Sequence, residues 1–264
     1  MTKFDGGAVR STAEVQDSGV EPQEAAPVDP VTSPAQPIPF PSEPVVIPDY
    51  LENVYHWAYL SPIGRAVFDH PMVVHSILWG NMHRLTRAVV DEIEPGQSVL
   101  QPACVYGGFS NHLADAVGAK GHLLVTDVAP IQIAGARRKL GGVPQATVRL
   151  GDAARPPGGP FDVVACFFLL HEVPEDYKKA IVNGLLGAVA PTGKIVFVDY
   201  HRMRPLHPLK PIMHLVFDTL EPFAKELWRN EIKDYASDAD RFTWTKETYF
   251  GGLYQKVVAR PRKG

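Results

Sequence analysis

The chain is short of cysteine, of long apolar runs and of clustered positive charge, and each shortage removes a class of protein. Cys104 and Cys166 are the only cysteines in 264 residues, too few for a disulfide framework and without the spacing of a zinc site. A reducing compartment is expected from that pair. No apolar stretch is long enough to cross a bilayer, and none has the form of a secretory signal. A formal net charge of -3 with no Lys/Arg run argues against a nucleic-acid partner. Near the N-terminus Asp5, Glu14 and Asp17 accompany only Lys3 and Arg10, unlike a mitochondrial presequence. The expected location is the cytoplasm.

Proline, by contrast, is plentiful and collects in residues 1–48, where Pro22, Pro27, Pro30, Pro34, Pro37, Pro39, Pro41, Pro44 and Pro48 alternate with small and acidic residues. Proline removes the N–H donors that helices and sheets need, so this segment is expected to be a disordered tail. Residues 49–97 read as a helical cap. They open with Tyr50, Tyr55, His56, Trp57, Tyr59 and Phe68 and continue into the run Met72–Ile93. In that run Val74, Ile77, Leu78, Met82, Leu85, Val89 and Ile93 recur at helical spacing. The aromatic group could line a pocket for a flat substrate or pack on a sheet edge.

From residue 98 to 264 the chain, 45% hydrophobic overall, has the length and pattern of one large-cored domain. Its organising stretch is 98–110, Ser-Val-Leu-Gln-Pro-Ala-Cys-Val-Tyr-Gly-Gly-Phe-Ser. It reads as a buried strand, a glycine turn at Gly107 and Gly108, and a helix 111–117 capped by Ser110 or Asn111. Strands 121–127, 146–150, 161–168 and 194–199 then alternate with helices 130–140 and 175–190. Continuous apolar strands separated by helix-length segments imply a parallel α/β sheet covered on both faces. Ligands of such sheets bind beyond the carboxyl ends of the strands.

The polar residues at those ends are Tyr106, Asp127, Asp152, His171, Glu172, Asp199 and His201. Asp127 could accept both hydroxyls of a ribose or cap a helix, and Asp152 could accept from an adenine amine or form a turn. His171 could act as a base or be a hydrogen-bonded histidine at the sheet edge. Asp199 and His201, two apart at a strand end, could together bind a divalent metal.

Taken in order, Val99–Cys104, Asp127, Gly151-Asp152-Ala153, Phe161-Asp162, Leu170-His171-Glu172-Val173 and Ala190-Pro191 through Asp199 resemble class I S-adenosylmethionine-dependent methyltransferases. The resemblance implies a Rossmann-like sheet of seven strands, the last reversed and formed by Phe250–Ala259. It also implies that the turn, with Ala103 and Gly107, and Asp127 hold the amino-acid and ribose parts of the cofactor, and Asp152 and Ala153 the adenine. That family's pattern has an acid where Gln101 stands, and glycine then a small residue where Val105 and Tyr106 stand. These departures, with Tyr55–Pro62, resemble a narrower branch, the rhodoquinone-biosynthesis proteins.

That branch implies conversion of ubiquinone to rhodoquinone, a ring methoxy being replaced by an amino group from S-adenosyl-L-methionine with Mn2+ assisting. On that reading Tyr106 and His171 are the catalytic residues, and Asp199 and His201 hold the metal. Physically, an amide at 101 leaves the cofactor amine without a counter-charge and so favours its nucleophilic form, while Val105 and Tyr106 steer it. A conventional O- or C-methyltransferase and a non-catalytic relative are the other readings. Residues 202–230 are expected to be a helical insert. There Leu209, Ile212, Met213, Val216, Phe217, Leu220, Phe223 and Leu227 form a stripe that could pack on the sheet, line a lipid-tail tunnel or touch the inner face of a membrane.

Overall fold

In the computed structural model, residues 47–48 and 70–263 are described. Residues 1–46 of the expected tail and the aromatic group of residues 50–68 lie outside them. The domain is built on a seven-stranded sheet, in the spatial order β3-β2-β1-β4-β5-β7-β6. The strands are β1 (Ser98–Gln101), β2 (His122–Asp127), β3 (Ala146–Leu150), β4 (Phe161–Phe167), β5 (Val189–Tyr200), β6 (Phe242–Tyr249) and β7 (Tyr254–Pro261). β1 to β5 pair in parallel, and β7 runs antiparallel between β5 and β6.

Alternate residues of each central strand feed two separate cores, which is why these strands read as unbroken apolar runs. From β4, Val163, Ala165 and Phe167 join the core that includes Phe109 and Leu113, while Val164 and Cys166 join the one that includes Ile181 and Leu185. The first core is covered by α1 (Pro71–Ile77), α2 (Met82–Val90), α3 (Phe109–Val117), α4 (Pro130–Lys139) and α6 (Lys210–Thr219). The second is covered by α5 (Glu175–Gly187) and by the short 3-10 turns at Ala224–Trp228 and Ile232–Tyr235. Each fully buried aliphatic or phenyl side chain in these layers contributes about 1.5–3 kcal/mol relative to exposure.

Several expected boundaries move, each for a local reason. The run Met72–Ile93 is two helices, because Trp79 and Gly80 take positive φ (50° and 78°). The Asn81 side chain stabilises that break by donating to the carbonyls of Leu78 and Trp79 at 3.1 and 2.9 Å. Val74, Leu78, Leu85, Val89 and Ile93 stay buried, but Ile77 is exposed, so the single apolar face is divided. Helix α3 begins at Phe109 with Gly108 as its N-cap and no side-chain cap, so neither Ser110 nor Asn111 caps it. The stretch 250–253, expected as the start of the last strand, contains a 3-10 turn at Phe250–Gly252, and β7 starts at Tyr254. β6 was not anticipated. It is an edge strand on which Lys246, Glu247 and Thr248 are exposed, so it lacks an apolar run. Of the insert 202–230, only Lys210–Thr219 is α-helix; Pro211 lies in its first turn and the helix ends before Pro222.

A carboxylate just after α2 adds polar ties to the sheet. Glu92, just after α2, accepts from Lys194 of β5 and from Lys256 and Arg260 of β7 at 3.0, 3.2 and 2.8 Å. Burial alone would raise the Glu92 pKa; the hydrogen bonds and charges of Lys194 and Lys256 outweigh it and hold the pKa below the usual value.

Two glycines of α5 separate close packing from helix propensity. A Cβ on Gly184 would lie 2.3 Å from the carbonyl oxygen of Ala154, whereas one on Gly187 would meet nothing within 4 Å. Alanine improves helix propensity by about 1 kcal/mol, but forcing α5 off the Asp152–Pro156 loop costs about 1–3 kcal/mol. Urea unfolding is therefore expected to show Gly184→Ala destabilised and Gly187→Ala unchanged or slightly more stable. Equal stability of the two variants would contradict this packing.

Candidate active site

The carboxyl ends of β1, β2, β4 and β5 and the loop after β3 open onto one cavity of about 550 Å³, well within the range of small-molecule sites. Ala103, Val105 and Tyr106 after β1 and Asp127 at the end of β2 line it. So do Asp152 and Ala153 after β3 and His171 and Glu172 after β4. The sequence expectation for these residues rests on the strand-end rule, and the fold brings them to one space.

The first wall is the turn after β1. Asp127 links the ends of two strands: its Oδ2 accepts from the Cys104 N–H and its Oδ1 from the Ala129 N–H, both at 2.8 Å. Burial raises its pKa to about 6 despite these donors, so the free protein holds a carboxyl that titrates just below neutrality. Tyr106 is pinned by Gln132, whose Nε2 donates to the phenol oxygen at 3.0 Å. Gly107, at φ 78°, supplies the left-handed residue of the turn, and its carbonyl accepts from Lys139 Nζ at 3.0 Å. It lies beside Val74 and lines a smaller neighbouring cavity instead of the main one.

Gln101 stands behind this wall. It is fully buried, and its Nε2 donates to the carbonyl of Ala103 at 2.8 Å. That bond orients the amide and leaves Oε1 buried with no hydrogen-bond partner among the described residues. A buried acceptor beside a ligand turn suits an N–H donor from a bound group. On the far side, Asp152 Oδ1 accepts from the Ala154 N–H at 2.8 Å and from the Tyr177 hydroxyl at 2.6 Å. Burial and the Asp152 carboxylate both raise the Tyr177 pKa, so this phenol remains a donor.

The second wall is a charged cluster. Asp199 is buried at the end of β5 and receives the Leu170 and His171 N–H groups at 2.8 and 3.3 Å on Oδ2. Its Oδ1 receives the Tyr200 N–H at 2.7 Å and lies 2.9 Å from His171 Nδ1. The 3-10 turn Leu170–Glu172 is thereby fixed, with the imidazole Nε2 3.7 Å from Glu172 Oε1 and 3.9 Å from Glu221 Oε2. Burial alone would push the imidazole pKa down; the carboxylates of Asp199, Glu221 and Glu172 outweigh it and carry it up to about 9. His171 is thus doubly protonated at neutral pH, a donor where the sequence suggested a base.

Asp199 and His201, read together as metal ligands, are committed to different partners. His201 follows the end of β5, its Nδ1 lies 3.1 Å from the Gly252 carbonyl and its Nε2 3.4 Å from Lys246 Nζ. Neither residue lines the cavity, and among the described residues no group of three or more His, Cys, Asp and Glu side chains could hold a metal ion. The described residues do not fit a manganese site.

Sequence reasoning missed the aromatic floor and the far acid. Phe168, at φ 51°, sits edge-on to His171 and Tyr200 with ring centroids 5.7 and 5.4 Å apart. A bulky residue in that left-handed region is strained and persists only where packing demands it. Tyr200 in turn packs on Phe217 of α6 at 4.9 Å. Glu221 follows α6, its N–H donating to the Val216 carbonyl at 3.2 Å, and just beyond it the buried Lys178 ammonium donates to the Phe223 carbonyl at 3.0 Å and to Glu226 at 2.5 Å. No local signal marks Phe168, Tyr200 or Glu221; chain order at the end of β5 could have suggested Tyr200.

The methyltransferase-domain family matches residues 99–193, the segment that carries most of these walls. An uncharacterized methyltransferase of Synechocystis is 32% identical over 178 residues, covering 65% of this chain and 79% of the relative. The chain belongs to the class I S-adenosylmethionine-dependent methyltransferases. This methyltransferase is also 25% identical over 175 residues to the ubiquinone/menaquinone biosynthesis C-methyltransferase of Ectopseudomonas mendocina, covering 62% of the chain and 66% of that protein. Among solved structures, the mitomycin 7-O-methyltransferase superposes with a TM-score of 0.61 at 15% identity, covering 79% of this chain and 60% of that one; this supports the fold. The strand order with its reversed β7 is the sheet the resemblance implied.

Because the His171 pKa is raised, the stability that it contributes is full below its ordinary value of 6.5 and disappears as pH rises through about 9. An NMR titration of the His171 ring is expected to give a midpoint near 9. The unfolding free energy is expected to fall between those pH values, and His171→Gln to remove that slope. A midpoint at or below 6.5 would contradict the charge cluster.

Proposed function

We propose that this methyltransferase-family protein converts ubiquinone to rhodoquinone, replacing a ring methoxy by an amino group. The observation that carries the reading is the pair Val105 and Tyr106, whose side chains line the cavity where the family pattern has glycine and a small residue. When bound, S-adenosylmethionine supplies the amino nitrogen. Bulk at 105 and 106 would displace the methionine portion from its usual seat, and Gln132 keeps the Tyr106 ring from swinging aside.

The buried Gln101 Oε1 supports the same reading. As a neutral acceptor it can orient an amine by hydrogen bonding without stabilising the ammonium as a carboxylate would, so the lone pair remains available. Asp127 and Asp152, which line the cavity on the sides of β2 and β3, would accept from ribose and adenine. Phe168, Tyr200 and Trp79 offer apolar faces to a flat ring. His171, charged at neutral pH, would donate to the methoxy oxygen that leaves as methanol when the ring C–N bond forms, and Tyr106 would relay the proton lost from nitrogen. Release of the free amine would then need elimination across the cofactor's Cα–Cβ bond, which breaks the Cα–N bond and returns a proton to nitrogen with no change of oxidation state. The expected manganese is assigned no residue.

Quinone C-methylation is the second reading, favoured by the name of the Ectopseudomonas relative. Incubation with ubiquinone, and separately with a quinone that has an unsubstituted ring carbon, using cofactor labelled differently in the amine and the methyl, separates the two by mass spectrometry. Label in a ring amine is expected from ubiquinone; a labelled ring methyl on the second quinone would establish methylation instead, and no transfer to either a non-catalytic relative. Tyr106→Phe and His171→Ala are each expected to slow amination by about 10²-fold or more. Wild-type rates in both would sink these roles. Since ribose hydroxyls donate to ionised Asp127, cofactor affinity measured by calorimetry should weaken as pH drops below about 6. A pH-independent affinity would remove Asp127 from the binding site.

A further inference from the structure

The helix α6 is apolar on both sides. Met213 and Phe217 point into the core, but Ile212, Leu215 and Leu220 are 47%, 65% and 46% exposed, and Leu206 before the helix is 96% exposed. A helix with two apolar faces needs a second apolar medium for the outer one. The same segment is basic in a chain whose net charge is -3. Arg202, Arg204 and Lys210 stand in it, no Asp or Glu occurs from residue 201 to 217, and Asp218 beyond is already paired with Lys225. Among the described residues no carboxylate forms an ion pair with Arg202, Arg204 or Lys210. Leu220, Ile77 and Trp79 are each both exposed and part of the cavity lining.

We propose that the 202–220 segment, with Ile77 and Trp79, docks the mouth of the cavity onto a bilayer containing anionic lipid. Leu206, Ile212 and Leu215 enter the acyl boundary, Trp79 sits at headgroup level, and Arg202, Arg204 and Lys210 meet the lipid phosphates. A substrate with an isoprenoid tail then passes from bilayer to cavity along Leu220 without crossing water. This deepens the quinone reading, on which the substrate part rests, but the docking itself requires no turnover.

Flotation of the full chain with phosphatidylcholine vesicles, with or without phosphatidylglycerol, tests it. Wild-type protein is expected to float with the anionic vesicles, and added salt to weaken this. Arg202→Glu with Arg204→Glu should reduce the bound fraction by roughly tenfold or more. Leu206→Glu with Leu215→Glu should reduce it by roughly tenfold as well, with an unchanged circular dichroism spectrum. Leu206→Glu alone, at a side chain almost fully in solvent, provides a variant whose folding is not at risk. Failure of wild-type protein to float, or flotation of the leucine variants like wild type, overturns the proposal. So does a wild-type dimer, dissociated by the leucine substitutions, that binds no vesicle. The leucine variants should still turn over a tail-less quinone while losing rate on quinone in vesicles. If wild type aminates neither quinone but floats, the substrate reading fails and the docking surface stands.

Discussion

The Asp199 carboxylate is the constraint on which the site depends. It is buried at the end of β5, and its two oxygens receive backbone N–H groups from Leu170, His171 and Tyr200 while facing the His171 ring. A buried carboxylate is tolerable only with such donors, and satisfying it dictates the path of the chain after β4. The turn Leu170–Glu172 follows that path. His171 then gains its charge, and Phe168 and Tyr200 pack against the imidazole as the aromatic floor. The ring sits among three carboxylates but pairs closely with only one, Asp199 at Nδ1, while Nε2 lies between the looser Glu172 and Glu221 carboxylates.

Opposite this charged wall stands a cradle whose chemistry is mostly neutral. Gln101, Val105 and Tyr106 occupy the segment in which the family pattern is acidic and small. Close packing makes that difference consequential, since the Tyr106 ring is fixed by Gln132 and cannot fold away at low cost. The cavity thus carries a cationic donor at His171, while the residue buried behind the β1 turn is the uncharged amide Gln101.

Much of the sheet was legible from sequence because β1, β2, β4 and β5 are buried on both faces and so consist of continuous apolar residues. β6 was not, because its exposed Lys246, Glu247 and Thr248 carry no such signal. The break at Trp79–Gly80 was hidden inside a regular apolar period, since the hydrophobic spacing in the sequence runs on through a turn that divides the face and leaves Ile77 exposed. Within the site, Asp127, Asp152 and His171 were legible because a parallel sheet delivers its strand ends to one rim. Tyr177, Glu221 and Phe168 were not. They reach the cavity from α5, from the segment after α6 and from a strained residue, and none occupies a position that the strand-end rule marks.

By itself the sequence determined the α/β layering and which polar residues stand at the carboxyl ends of the strands, since both follow from local pattern and chain order. Only the tertiary structure decided which acid owns which partner. Asp199 and His201 are two residues apart, yet the strand ends between them, so one is drawn under the His171 turn and the other to the Gly252 carbonyl. The raised pKa of His171 likewise arises first from Asp199 and then from Glu221 and Glu172, and both Asp199 and Glu221 are remote from it along the chain. Electrostatic energy depends on distance through space, and spacing along the sequence does not fix that distance.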